Sequence, residues 1–362
     1  MSATLRLPLT LAFALTCTAA ADAAGVPIAV VAPTDGPFAA LGQQIREGAV
    51  AKINADGNTP IIVNEPCSAE GDNAAVQAQI AQAKAAVAIG FLCSETLEAT
   101  LPALKEAGVP AITVSVRATI LMEDTLKNGW PLFRLAPSDN AEAARIIDFI
   151  LSEWSGQPLG LIEDGTIHGR ELTEAIRNAL EDKGLKPAFI DTYRPGQEQQ
   201  IGLVRRLSKA GVTRVFVGGD RSDVAIIARD ARAEGIELDL LGGDAMNAAN
   251  QPLPLADGVR AVTLPDWSAD PRNTELVKAF RNANVEPEGY VMPGYAAATI
   301  ANAALGLAAG ENRPLIEALT MKAFDTTVGP VRFTDRHELT ENPYKVLEWR
   351  GDRFVTPAPK TD

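Results

Sequence analysis

The chain has 362 residues, 46% of them hydrophobic and 22% charged, which excludes a disordered or collagen-like protein. It exceeds the roughly 250–300 residues at which one core usually divides, so two lobes are expected. Its 46 Asp and Glu against 33 Lys and Arg give a net charge of −13, and phosphate recognition needs a cationic face, so nucleic-acid binding is set aside.

Residues 1–23 read as a cleavable signal peptide. Arg6 forms a short positive region, Leu7 to Ala20 an apolar stretch, and Ala21-Asp22-Ala23 a cleavage site with small residues where a signal peptidase reads them. A membrane anchor fits less well, because the run is shorter than about 20 residues and contains Pro8. Lipidation at Cys17 is a minor alternative. No later stretch is expected to be long and apolar enough to cross a bilayer, which places the mature chain free in an extracytoplasmic space. Cys17 leaves with the leader, so Cys67 and Cys93 remain as candidates for one disulfide, two buried free thiols being the alternative.

Beyond the leader, short β-branched runs alternate with amphipathic stretches, the pattern of βα units and a parallel sheet. Ile28-Ala29-Val30-Val31 reads as a strand, and Phe38 to Asn54 as a helix with Leu41, Ile45, Ala49 and Ile53 at helical spacing. Strands follow at Ile61 to Val63, Ala86 to Ile89 and Ala111 to Val114, with helices at Asp72 to Lys84 and Ser94 to Ala107. Phe133 to Pro137 reads as an extended crossing. Asp139 and Glu142 then stand in capping-box-like spacing before a helix running to about Trp154.

The alternation restarts there. Strands are expected at Leu159 to Ile162, Phe189 to Thr192, Val215 to Val217 and Leu238 to Leu241, and helices at Gly169 to Lys183, Gln199 to Ala210 and Asp223 to Glu234. After Val259 to Leu264 come helices at Asn273 to Asn284, Met292 to Ala309 and Leu315 to Lys322. The tail, Val328 to Phe333 and Tyr344 to Val355, alternates like a hairpin. Two α/β lobes joined by short crossings suggest a hinged molecule with a cleft between the lobes.

Reactive chemistry is sparse. There are two histidines, His168 and His337, and the sequence holds no H-E-x-x-H, paired C-x-x-C, G-x-S-x-G or Walker-type motif. Gly218-Gly219-Asp220 and Gly242-Gly243-Asp244 each follow a strand, but neither is a dinucleotide fingerprint.

Several segments in fixed order carry a resemblance: Gly36-Pro37 and Gly42 in the first βα turn, Glu65-Pro66-Cys67, Gly90-Phe91-Leu92-Cys93-Ser94, Gly108-Val109-Pro110-Ala111-Ile112, Gly294-Tyr295-Ala296-Ala297 and Val328-Gly329-Pro330-Val331-Arg332-Phe333. Through nearly the whole mature chain it resembles the type I periplasmic binding proteins of ABC transporters, in particular their leucine/isoleucine/valine-binding branch. The resemblance implies two Rossmann-like lobes with parallel sheets joined by a multi-strand hinge. One lobe would comprise residues 24–136 plus about 264–342, the other 137–263 plus about 343–362. It also implies a Cys67–Cys93 disulfide, a monomer, no cofactor or metal, and capture of an amino acid or similar polar solute for an inner-membrane ABC permease. A ligand-sensing receptor of the same fold, or a secreted hydrolase using Asp220 and Asp244, are the alternatives.

Position by position, Ser94 matches the serine that holds a ligand carboxylate; a helix N-cap is its plainer role. Ser115 and Arg117 lie where the family adds further carboxylate contacts, and Arg117 departs from a small Thr-like residue. Its guanidinium suits a carboxylate clamp or a lobe-to-lobe ion pair. Asp244 matches the acid that receives the ligand ammonium. Asp220 and Leu41 replace aromatic residues and His168 a tyrosine, so the expected site is more charged than that of a branched-chain binder. Helix capping by Asp220 and simple solvation of His168 are the alternatives. Tyr295 and Trp267 are further cleft or hinge candidates.

Overall fold

The computed structural model describes residues 25–358, so the signal-peptide reading of residues 1–23 lies outside the described residues. The first half-chain is built from β1 (Pro27–Ala32), α1 (Ala39–Ala55), β2 (Thr59–Asn64), α2 (Asn73–Gln82), β3 (Val87–Gly90), α3 (Ser94–Ala107), β4 (Ala111–Thr113), α4 (Thr119–Asn128) and β5 (Leu132–Arg134). The five strands form one parallel sheet in the order β2-β1-β3-β4-β5, with Val30 opposite Ile62 on one side and Ile89 on the other. β1, β3, β4 and β5 are buried on both faces, as a sheet covered twice by helices requires. Gly108, with φ +66°, ends α3 in the left-handed conformation and returns its N–H to the last turn.

The second series is α5 (Ala141–Phe149, continued by a π turn to Trp154), β6 (Leu159–Glu163), α6 (Ile167–Asp182), β7 (Phe189–Thr192), α7 (Ile201–Lys209), β8 (Arg214–Gly218), α8 (Arg221–Ala233), β9 (Asp239–Gly242) and β10 (Arg260–Thr263). The chain then forms α9 (Thr274–Asn282), α10 (Val291–Glu311), α11 (Leu315–Met321), β11 (Phe324–Thr326), β12 (Gly329–Val331), β13 (Lys345–Arg350) and β14 (Arg353–Val355). The second sheet runs β14-β13-β10-β9-β8-β6-β7; five strands are parallel, and the terminal β13-β14 hairpin adds antiparallel to β10. The fold is therefore α/β with two doubly wound parallel sheets, as expected.

Three expectations need correction. Phe133 and Arg134, read as part of a crossing, belong to β5 in the first sheet, and α4 precedes them where no helix was expected. The two tail segments do not pair with each other: β12 pairs with β11, and β13 with β14. Finally, α10 is long and apolar enough to span a membrane by length and composition. Its apolarity has a different cause here, since Ala296, Ala297, Ile300, Ala301 and Ala304 are fully buried in the core of the first sheet.

The small residues of α10 let it approach α1 closely. A Cβ on Gly48 would collide with the Val291 carbonyl, and one on Gly294 would stand 2.6 Å from the Ile45 carbonyl. Gly306, further along α10, faces open space. Gly48→Ala should therefore lower stability by about 1–3 kcal/mol, whereas Gly306→Ala should raise it by about 0.5–1 kcal/mol. Denaturant unfolding of the two variants checks the opposite signs.

Candidate functional site

In parallel sheets ligands bind beyond the carboxyl ends of the strands, and the expected residues lie there in both halves. After β3, two restraints fix the loop that opens α3. Cys93 is disulfide-bonded to Cys67, as the resemblance implied. Buried Glu65 accepts the Leu92 N–H at 2.8 Å and the Cys93 N–H at 2.9 Å. Cys93 occupies the N-cap position and Ser94 is the first helical residue, so the capping role does not fall to Ser94. Its side chain is exposed and free of hydrogen bonds among the described residues.

After β4, Thr113 donates its hydroxyl to the Phe91 carbonyl at 3.0 Å and accepts the Val116 N–H at 3.1 Å, joining this turn to the one after β3. Ser115 is tied to Tyr290 by a 2.9 Å hydroxyl contact. Arg134, a fully buried guanidinium at the end of β5, donates to the Arg117 carbonyl at 2.6 Å and the Ala118 carbonyl at 3.2 Å while pairing with Glu338. It is a positioning group, since it braces the loop from which Arg117 projects.

Arg117 reaches the second half of the molecule. Its Nη1 donates to the Tyr344 hydroxyl at 2.7 Å and stands 3.8 Å from Asp244 Oδ2. Asp244 is supplied with donors from several segments. Oδ1 accepts the Thr263 hydroxyl at 2.8 Å and the Leu264 N–H at 3.3 Å, and Oδ2 the Tyr344 hydroxyl at 3.4 Å. The Asp244 N–H donates to Glu142 at 2.8 Å. Burial pushes the Glu142 carboxyl above the usual range, and nearby Asp244 adds to this, while the Asp244 N–H, His168 and Arg117 oppose it. The capping-box expectation is thereby corrected: Glu142 spans to Asp244, and Asp139 accepts from the Thr119 N–H and hydroxyl at the start of α4.

His168 is exposed near the start of α6, close enough for its charge to act on Glu142. Asp220 occupies the N-cap position of α8, yet its carboxylate makes no capping bond and is exposed. The structure thus joins Arg117 to Asp244 and leaves Asp220 out of that pair. A cavity of about 960 Å³ runs along the connecting segments, lined by Arg117, Pro137, Asp244, Trp267, Tyr290 and Pro343 among others. Of the expected site residues it reaches Arg117 and Asp244, and of the two aromatic cleft candidates Trp267; Tyr295 instead packs edge-on against Phe280, 6.0 Å between ring centroids.

Sequence reading missed Arg134, Glu142 and Tyr344 as parts of this network. Arg134 carried a signal, a charge within an otherwise apolar run; Tyr344 carried none, because its partners lie 100 and 227 positions away.

Residues 25–353 match the sequence family described as periplasmic binding protein. The leucine-, isoleucine-, valine-, threonine-, and alanine-binding protein of Pseudomonas aeruginosa is 26% identical over 91% of both chains. A putative branched-chain amino acid ABC transporter from Rhodospirillum rubrum superposes with a TM-score of 0.75 at 20% identity, covering 92% of this chain and 100% of that one. A solute-binding protein from R. palustris in complex with 4-hydroxybenzoate gives 0.63 at 15% identity, covering 93% and 96%.

Burial is the main reason the Glu65 carboxyl rises from 4.5 to about 7, against the pull of the Leu92 and Cys93 N–H groups and with a smaller push from Glu95. The folded state then holds a proton that the unfolded chain releases at lower pH, so this contribution favours folding in acid and is lost as pH rises through about 7. The melting midpoint between about pH 5 and pH 8 should carry a downward component that Glu65→Gln removes; matching pH profiles would contradict the assignment.

Proposed function

The chain belongs to the periplasmic binding protein family, and we propose that it is the extracytoplasmic solute-capturing component of an ABC importer. It works by capture rather than catalysis and delivers its solute to an inner-membrane permease. The observation that carries this reading is the approach of loops from the carboxyl ends of both parallel sheets, with Arg117 of one meeting Asp244 and Tyr344 of the other.

In this reading residues 24–136 with about 264–342 make one lobe and 137–263 with about 343–362 the other. The short segments around Pro137, Leu264 and Pro343 serve as hinges. Residues 1–23 direct export to the periplasm, where the Cys67–Cys93 disulfide is stable. Solute meets Ser94, Ser115 and Arg117 first. Closure brings Asp220, His168 and the Asp244 region onto it, and binding energy favours the closed state.

The relatives support a small carboxylate-bearing solute, since the names attached to them span aliphatic amino acids and 4-hydroxybenzoate. Thermal unfolding of mature protein stripped of co-purified ligand, against amino acids, polyamines, dicarboxylates and aromatic acids, tests this. A bound solute at 100-fold its dissociation constant should add about 2.7 kcal/mol and raise the midpoint visibly. No shift from any class would count against solute capture.

A further inference from the structure

We propose that the Cys67–Cys93 disulfide is a thiol-exchange site with a built-in proton donor: a dithiol opens it by attack on Cys67, Glu65 delivers a proton to the departing Cys93 sulfur, and opening frees the loop that presents Ser94. This chemistry is separate from solute capture and needs no solute.

Three groups meet between the end of β2 and the start of α3. A carboxylate oxygen of Glu65 and the two Sγ atoms lie within 4.8 Å of one another. Glu65 directly follows β2 and is 2% exposed. Its two oxygens accept the Leu92 and Cys93 N–H groups, so the carboxyl is fixed on the backbone of the residue whose sulfur leaves. Glu65 belongs to no ion pair among the described residues. Burial pushes its carboxyl up to about 7, against the two N–H groups, and Glu95 in the first turn of α3 is the charged group that adds to the rise. A positioned acid that holds a proton near neutral pH suits protonation of a leaving group.

The two sulfurs are placed for different roles. Both cysteines are partly exposed, and Cys67 continues into the exposed segment Ser68-Ala69-Glu70, from which an incoming thiolate reaches it. Cys93 is the N-cap residue of the 14-residue α3, where the helix end favours negative charge and makes its sulfur the better leaving group. In the first step a thiolate of the dithiol bonds to Cys67 Sγ, the Cys67–Cys93 bond breaks, and its electron pair goes to Cys93 Sγ, which takes the Glu65 proton. In the second, the other thiolate of the dithiol attacks the dithiol sulfur of the mixed disulfide, Cys67 leaves and is protonated by water, and Glu65 regains a proton from water. Two electrons pass from the dithiol, which ends as a cyclic disulfide, to the cysteines, which end as two thiols. Once ionised, Glu65 has no proton to give, and its charge opposes the thiolate that forms beside it.

The backbone on both sides of the bridge is held in costly conformations. Cys67 has φ +50° and Phe91, two residues before Cys93, φ +55°, in the left-handed region that residues with bulky side chains rarely adopt. Such residues persist where their surroundings over-determine them, and the bridge is one of those restraints. Cutting it leaves the Glu65 bonds and the bond from the Phe91 N–H to the Val31 carbonyl, 2.8 Å, in place. The response therefore falls on the loop and on the first turn of α3, where the Leu97 N–H meets the Cys93 carbonyl at 3.2 Å, rather than on the sheet.

Reduction of the folded mature protein by dithiothreitol, read by thiol alkylation and mass, gives a rate per dithiothreitol thiolate. That rate should fall about tenfold between about pH 6 and 8, as Glu65 loses its proton. Glu65→Gln should remove the fall, Glu65→Asp should keep one, and Glu95→Gln should leave it in place. A flat profile in the unaltered protein overturns the proposal, as does a fall that persists in Glu65→Gln or disappears in Glu95→Gln. Reduction that proceeds only as fast as global unfolding in urea overturns it as well. Hydrogen exchange of the reduced protein should quicken at residues 91–97 and stay unchanged in β1; unchanged exchange at residues 91–97 contradicts release of the loop. None of these readouts involves a solute, so their failure leaves solute capture standing, and failure of solute capture leaves them as they are.

Discussion

The arrangement of this molecule depends on how one partly buried carboxylate is satisfied. Asp244 lies at the end of β9, and its oxygens take donors from the end of β10, the segment that leaves it, the approach to β13 and, through Arg117, the opposite sheet. Its side chain keeps 25% exposure, so these donors share the charge with water rather than replacing it. The demand holds together segments far apart in sequence. Arg117 joins this set from the opposite sheet, and Arg134 braces its loop by donating to the Arg117 and Ala118 carbonyls.

Much of the fold was legible because burial imposes a period. The βα alternation from Ile28 to Leu241 follows from central strands buried on both faces and helices buried on one, and those patterns survive in the residue order. What failed was local in a different sense. α4 and β5 are short, and the mixed polarity of Thr119–Asn128 gives no clear stripe. α10 concealed its role in the opposite way: so many of its residues are buried that its composition alone resembles a membrane span.

The site was legible only where the chemistry is local. Ser94 and Asp220 could be placed from sequence because each lies in a short turn between a strand and a helix, and Cys67 and Cys93 could be paired because two cysteines have one intramolecular pairing. Glu142 looked like half of a capping box, since sequence shows its neighbour Asp139 but not Asp244, 102 positions away. The same long-range pairing separates the two aspartates that sequence treats alike: Asp244 is structural in its contacts, whereas Asp220 retains its hydrogen-bonding capacity.

A crystal structure of the protein bound to its tightest solute tests the proposed capture between the two halves most directly. The solute is expected to touch Ser94, Ser115 or Arg117 from the loops after β3 and β4 together with Asp220, His168 or the Asp244 segment from the opposite sheet. A solute seated on one half alone, away from these loops, would contradict it.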